Sequence, residues 1–183
     1  MSLKLITINR QSTDFAKVKY LFKHSFPKDE QIPLWYLLRK AKRENLDFWG
    51  IYDDNRWVGL TYCITYQRLT YVFFLAIDPN NRSKGYGSQA LTAIKQKYAG
   101  NKLALIIEEV KKAAPNYEQR LKRKQFYLKN EFIPAVFTLT EGKTDYELLM
   151  YNGNVDSKEY VELMANYGGV IFRWYIKTRI HPK

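Results

Sequence analysis

The segment Tyr71–Ser88, YVFFLAIDPNNRSKGYGS, limits what this chain can fold into more than any other. It begins as an apolar run rich in aromatic and β-branched residues, the make-up of a buried strand. Asp78-Pro79 ends the run, and a loop with Arg82, Lys84, Gly85 and Gly87 follows. Ala90, Leu91, Ile94 and Tyr98 then have the spacing of a helix lying on a sheet. A strand feeding a helix through such a loop is suited to an anion. The helix start leaves about four backbone N–H groups without intrahelical partners and carries the positive end of the helix dipole. Gly85 and Gly87 let anionic oxygens approach the main chain, Arg82 and Lys84 add charge at the rim, and Ser88 can donate a further hydrogen bond.

The flanking sequence reads as alternating elements. Lys4–Asn9 is a short strand. Ser12, Thr13 or Asp14 can cap a helix that turns Phe15, Val18, Leu21 and Phe22 inward and closes at Pro27. A second helix starts near Pro33, carries Leu34, Leu37, Leu38 and Ala41 inward and reaches Arg43. Asp47–Tyr52, Arg56–Tyr66 and Leu69–Ile77 are strand-like runs whose short polar turns imply antiparallel hairpins. Beyond the loop come a helix over Gly85–Tyr98, a strand over Leu103–Ile107, and a helix over Asn116–Lys129 with Tyr117, Leu121 and Leu128 on one face. A hairpin of Phe132–Thr138 and Thr144–Tyr151 follows. From Asp156 a helix carries Tyr160, Leu163, Met164 and Tyr167, breaks at Gly168-Gly169 and leads to a strand-like Val170–Ile176. The expected fold is α/β of the α+β kind, a central mixed, mostly antiparallel sheet flanked by helices. Residues 1–151 form the core, and residues 152–183 are a C-terminal extension packed on the same domain.

Composition removes several kinds of chemistry. With 46% hydrophobic residues the chain is globular rather than disordered. One cysteine, Cys63, excludes an internal disulfide and, with only His24 and His181 beside it, no metal centre is expected. Cys63 reads as a small buried hydrophobe, and His24 as a helix-end residue in contact with the dipole. The segment from Met1 to Arg10 lacks the apolar core of a secretion signal, and no stretch approaches the roughly 18 apolar residues of a membrane span. The expectation is a cytoplasmic protein with no membrane contact. A nucleotide-hydrolysing phosphate loop would need glycine followed by lysine and then serine or threonine, which this loop does not have. A dinucleotide fingerprint would need a third glycine where Ala90 stands.

At these residues the sequence resembles the GNAT superfamily of N-acetyltransferases, whose acetyl-coenzyme A loop reads Gln or Arg, two residues, Gly, one residue, Gly or Ala. Arg82, Gly85 and Gly87 match it, Ile77-Asp78-Pro79 precede it as the family pattern asks, and Phe126-Tyr127 followed by the strand at Phe132 supplies a second element. Glu131 stands where the family usually has glycine. The resemblance covers roughly residues 3–151.

It implies a GNAT-like fold and direct transfer of an acetyl group from acetyl-CoA, the cosubstrate, to a primary amine. By the same resemblance the pyrophosphate is held by backbone N–H groups of Arg82, Ser83, Lys84, Gly85, Tyr86, Gly87 and Ser88, and pantetheine lies beside Leu75, Ala76 and Ile77. Tyr127 takes the place of the general acid that protonates the departing thiolate, and Phe26, Asp29, Glu30, Trp35 and Tyr36 are acceptor-side candidates. Glu108 and Glu109 end a strand and are candidates for the base. Strand alternation turns them to opposite faces, so at most one sees the cleft. The acceptor is a small-molecule amine or the amine of a protein or peptide, and a homodimer is one expectation for the extension.

The formal charge is +12, of which residues 82–102 and 111–129 carry +11. That excess flanks the expected cofactor site and would attract a polyanion such as coenzyme A. Lys122, Arg123 and Lys124 read as a solvated face, because they lie opposite Tyr117 and Leu121. Two other readings compete. A non-catalytic acyl-CoA sensor would use the same pocket and bind without turnover. A nucleic-acid-binding module would use the charge together with 15 tyrosines, but no aromatic RNA-binding strand motif or helix-turn-helix pattern supports it.

Overall fold

The computed structural model describes residues 3–26, 31–141, 144–169 and 179–182. These contain five α-helices and an eight-stranded, mostly antiparallel sheet in the order β1-β2-β3-β4-β5-β7-β6-β8. The chain divides into two compact units, one of Met1–Ile64 with Val72–Ala99 and one of Thr65–Tyr71 with Gly100–Lys183.

In the first unit, β1 (Lys4–Thr7) pairs antiparallel with β2 (Leu46–Asp53), β2 with β3 (Arg56–Tyr66), and β3 adjoins β4 (Leu69–Ile77). The polar turn Asp54-Asn55 closes the β2–β3 hairpin with Asp54 at φ 52°, and the register sets Asp53 opposite Arg56. Helix α1 (Phe15–Ser25) buries Val18, Leu21 and Phe22. The Phe22 ring meets the edge of Phe74 on β4 at 5.0 Å. Helix α2 (Leu34–Lys40) buries Leu37, whose carbonyl accepts a hydrogen bond from the Tyr62 hydroxyl of β3 at 3.4 Å. Helix α3 (Tyr86–Lys97) buries Tyr86, Ala90, Leu91, Ala93 and Ile94. Leu3, Ile51 and Val58 share a core cluster with Tyr86, Ala90 and Ala93.

In the second unit, Leu69–Tyr71 of β4 pairs in parallel with Lys102–Ala104 of β5 (Lys102–Glu108). Strand β7 (Thr144–Tyr151) runs antiparallel to β5 and to β6 (Ile133–Glu141), and β8 (Ile180–Pro182) pairs with Phe137–Leu139. Helix α4 (Tyr117–Lys129) precedes β6, and α5 (Ser157–Gly168) follows β7. A capping box opens α5: the Asp156 carboxylate accepts from the Glu159 N–H at 2.8 Å, and the Glu159 carboxylate accepts from the Asp156 N–H at 3.1 Å. The other Glu159 oxygen takes a 2.6 Å bond from Lys102 at the first residue of β5. Tyr160 of α5 is buried against the rings of Tyr71 and Phe137.

Several sequence expectations change. Helix α2 stops at Lys40 rather than reaching Arg43: the Ala41 N–H still bonds to the Leu37 carbonyl, but the Arg43 N–H turns to the Lys40 carbonyl, three residues back, and the α-helical ladder ends. Ser12 does not cap α1; its hydroxyl accepts from the Asn9 N–H at 3.0 Å, inside the preceding turn. The face of Tyr117, Leu121 and Leu128 is not buried, since no residue of α4 is, and Leu128 is exposed. The strand-like Val170–Ile176 lies outside the described residues, and the three-residue β8 had no sequence signal.

Candidate active site

The loop after β4 is set by local chemistry that begins with Asp78. Its carboxylate accepts from the Asn80 N–H at 2.9 Å, its carbonyl accepts from the Asn81 N–H at 2.8 Å, and its own N–H donates to Val58 of β3 at 2.9 Å. Pro79 pre-sets the short 3-10 turn Pro79–Asn81, since its missing N–H costs nothing at a helix start. Ser83 then adopts φ 60° and Gly85 φ 80°, two left-handed residues that reverse the chain into α3. Glycine takes that conformation without the penalty a side chain incurs, whereas Ser83 bears it.

The first intrahelical bond of α3 runs from the Gln89 N–H to the Gly85 carbonyl at 3.2 Å. The amides of Tyr86, Gly87 and Ser88 therefore have no intrahelical acceptor, and they lie at the positive end of the helix dipole. Arg82 to Gly85 and Ser88 are exposed and Gly87 is half-buried, while Tyr86 is buried. The donor chemistry fits a pyrophosphate. The Arg82 and Lys84 side chains fold back onto the segment. The Arg82 Nε donates to the Ile77 carbonyl at 3.3 Å and the Lys84 Nζ to the Asn80 carbonyl at 2.8 Å, leaving their charge at the rim.

Tyr86 has a role that its motif position did not suggest. Its hydroxyl donates to the Asp53 carboxylate at 2.6 Å, and the Arg56 guanidinium bonds both to that hydroxyl and, at 3.1 Å, to Asp53. The guanidinium also lies 5.5 Å from the centre of the Tyr86 ring. The first residue of α3 is thus clamped to the turn of the β2–β3 hairpin. The bond to Tyr86, with help from Arg56, holds the Asp53 carboxyl below its ordinary range, and the same bond pushes the Tyr86 phenol up. Asp53 and Arg56 are functional candidates that sequence reading missed; they stand 33 and 30 residues from Tyr86, beyond any local pattern.

Leu75 and Ile77 are half-buried and pack on the cluster around Val58 and Tyr86, while Ala76 is buried. Gly59 of β3 faces this end of β4. A Cβ there would lie 2.4 Å from the Ala76 carbonyl oxygen, so only glycine allows the two backbones to approach this closely.

Of the acceptor-side candidates, Phe26 packs on Phe74 at 4.7 Å, and Trp35 is exposed with its ring at 89° to Tyr36. Tyr36 is half-buried, with Lys40 over its ring at 5.4 Å. Asp29 and Glu30 lie outside the described residues.

In the second unit, Tyr127 is half-buried on α4 between the rings of Phe126, at 5.0 Å, and Phe132, at 5.8 Å. Burial pushes its phenol up against the opposing pull of the Arg123 charge, so it stays protonated near neutrality. Glu131 has φ 65°, the left-handed conformation for which the family pattern uses glycine. Glu108 is held by Arg120 at 2.7 Å, by Arg123 at 3.4 Å and by the Asn116 amide. Glu109 is more exposed and pairs with Lys111 at 3.4 Å, while Lys111 also binds Asp145.

These pairs correct the reading of Arg123 and Lys124 as a solvated face. Lys124 donates to both oxygens of Glu147 at 2.8 and 2.7 Å, and Glu147 is buried on β7. A buried carboxylate needs a counter-charge, and α4 supplies it. Among the described residues no cluster of three His, Cys, Asp or Glu side chains could hold a metal ion, and no helix is long and apolar enough to cross a membrane.

The sequence model described as Acetyltransferase (GNAT) family matches residues 15–121. No curated protein sequence matches the chain significantly. Among solved structures, a protein from Bacteroides thetaiotaomicron described as a GNAT-family acetyltransferase superposes with a TM-score of 0.73 at 23% identity, covering 93% of this chain and 99% of that one. An aminoglycoside 6′-N-acetyltransferase complexed with coenzyme A gives a TM-score of 0.63 at 11% identity, covering 85% and 100% of the two chains. The ribosomal-protein-S18-alanine N-acetyltransferase of Escherichia coli gives 0.60 at 13% identity, with coverage of 85% and 97%. At these identities the superpositions establish the fold, and the sequence match over more than half of the length establishes the lineage: this chain belongs to the GNAT family of acetyltransferases.

Proposed function

We propose that the chain transfers the acetyl group of acetyl-CoA directly to a primary amine, with the amides from Arg82 to Ser88 holding the pyrophosphate and Leu75–Ile77 running beside the pantetheine arm. The observation that carries this reading is the set of helix-start amides at Tyr86, Gly87 and Ser88 that have no intrahelical acceptor, entered through left-handed Ser83 and Gly85 and pinned by the Tyr86 clamp. Main-chain donors fixed before the ligand arrives need no reorganisation to receive phosphate oxygens.

In the reaction the amine nitrogen attacks the thioester carbonyl carbon. The C–N bond forms, the C–S bond breaks, and the sulfur leaves as a thiolate that needs a proton. An amide N–H at Ala76 or Ile77 polarises the carbonyl, a contribution of a few kcal/mol where such a donor is preorganised. Tyr127 is assigned as the proton donor, because its raised phenol is protonated at neutral pH. Of the two carboxylates, Glu109 is assigned to take the ammonium proton, directly or through water. Glu108 is committed to two guanidinium groups, whereas Glu109 is more exposed and, among the described residues, its carboxylate pairs with Lys111 alone. Phe26, Asp29, Glu30, Trp35 and Tyr36 remain the acceptor-side assignment.

The test is an amine panel with acetyl-CoA, following release of free thiol, on the wild type and Tyr127→Phe. Thiol release that depends on both substrates and falls at least tenfold in the variant is expected. Calorimetry showing no binding of acetyl-CoA at low ionic strength would remove the proposal.

A further inference from the structure

Helices α1 and α2 pack on one face of the first unit's sheet. Phe22 of α1 packs on Phe74, Tyr62 bonds to α2, and the Tyr62 and Phe74 rings are 6.5 Å apart. The outer side of this pair is basic. Lys19, Lys23, Arg39, Lys42 and Arg43 are all exposed, and none forms an ion pair with another described residue. Between residues 14 and 44 the sequence carries eight Lys and Arg against four acids, Asp14, Asp29, Glu30 and Glu44; Asp29 and Glu30 lie outside the described residues, and Asp14 is engaged with Lys17 and the Tyr52 hydroxyl.

Helix α4 shows the opposite arrangement: Arg120, Arg123 and Lys124 are matched to Glu108 and Glu147. Charge satisfied inside the fold contributes little to the outer field, whereas unmatched charge on exposed side chains projects into solvent. Lys19 and Lys23 are one helical turn apart, about 6 Å, which is within a Debye length, so their fields add. Exposed Tyr20 and Trp35 stand among these cations.

We infer that this α1–α2 face docks an acidic protein segment, and that the amine acetylated belongs to such a protein rather than to a polycationic small molecule. The inference rests on the acetyl-transfer reading above. A polyamine or aminoglycoside would be repelled by the net positive charge of this face, and a single carboxylate could satisfy only one or two of its exposed cations. An RNA would match the charge but has no aliphatic amine to acetylate, so a protein supplies both requirements.

The experiment uses peptides of equal length with a free N-terminal amine followed by acidic, neutral or basic residues. Thiol release and fluorescence anisotropy of labelled peptides are both measured, at low and high salt. The acidic peptide is expected to bind and react at least tenfold better than the basic one, with an advantage that shrinks as salt rises. The double variant Lys19→Glu/Lys23→Glu, with unchanged thermal stability and unchanged acetyl-CoA affinity, should abolish or invert that preference. Equal or better binding of the neutral or basic peptide at low salt overturns the inference, as does a preference the double variant leaves intact or an RNA oligonucleotide that displaces every peptide. Failure of the acetyl-transfer reading looks different: acetyl-CoA itself does not bind, while the anisotropy arm still reports on the surface.

Discussion

The Tyr86 hydroxyl donates to the Asp53 carboxylate at 2.6 Å, joining the first residue of α3, just after the Arg82–Gly85 loop, to a hairpin turn 33 residues away. The loop's amides are useful only if they are held in place, and this bond holds their helix. Tyr86→Phe keeps the ring, and with it the packing on Val58 and Ala90, but loses the donor. The expected outcome is a KM for acetyl-CoA raised roughly three- to tenfold, as suits loss of one positioning contact, with kcat changed less than twofold. Steady-state kinetics with Asp53→Asn as a second variant checks it. An unchanged KM in both would remove the clamp from the binding machinery.

Gly59→Ala tests the close approach of β3 to β4. The new methyl would meet the Ala76 carbonyl oxygen at 2.4 Å, and backbone cannot swing aside as a flexible side chain does. A destabilisation of about 1–3 kcal/mol, typical of overpacking, is expected in chemical denaturation. Acetyl-CoA binding should weaken with it, because Ala76 is displaced.

The two strand-end glutamates should separate by readout. Glu108→Gln leaves Arg120 and Arg123 without their carboxylate and should cost about 1.5–3 kcal/mol, as for hydrogen bonds to charged groups, visible as a lower melting temperature. Glu109→Gln should barely move the melting temperature and should lower kcat at neutral pH. If Glu109→Gln retains full kcat across the pH range, the base assignment is lost.

Burial pushes the Cys63 thiol up to about 12, outweighing the hydrogen bond from Thr61 that acts the other way. The side chain is 1% exposed. An aromatic disulfide reagent at pH 8 should therefore leave the native chain unmodified and titrate one thiol after denaturation. Rapid modification of the native protein would show that β3 opens locally.

Alkaline stability should follow the phenols. Burial, and then Asp14, pushes Tyr52 up to about 12, and Tyr86, Tyr98 and Tyr127 are raised as well. A group whose folded pKa exceeds its unfolded value of about 10 stabilises the fold fully below that pH and loses the contribution as pH rises through the folded value. Near-ultraviolet titration should show some of the 15 tyrosines ionising above pH 10, accompanied by a falling melting temperature. A single unshifted wave would contradict this.

Strands β3 and β4 were legible to their end residues because polar turns bound both of them and their apolar content is dense. The course of the loop between β4 and α3 was legible because its glycines and Asp78-Pro79 act on the backbone within a few residues. What escaped depends on long-range pairing. No periodicity announces that Lys124 will meet Glu147, 23 residues on, or that Tyr86 will meet Asp53. The cations of α4 looked idle because their counter-ions are set on other strands, and β8 is too short to carry a pattern. The Glu131 departure from the family turn proved to be chemical only, since its backbone angle is the one glycine would have taken.

Glu159 serves two groups with its two oxygens, the Asp156 N–H and Lys102, closing the start of α5 on itself and tethering Lys102 at the root of β5. A shortened clone ending at Tyr151 would strip the cover from Tyr71 and Phe137 and leave Lys102 unmatched. Such a fragment should precipitate rather than work as a minimal enzyme, so the appendage is structural masonry and not an ornament.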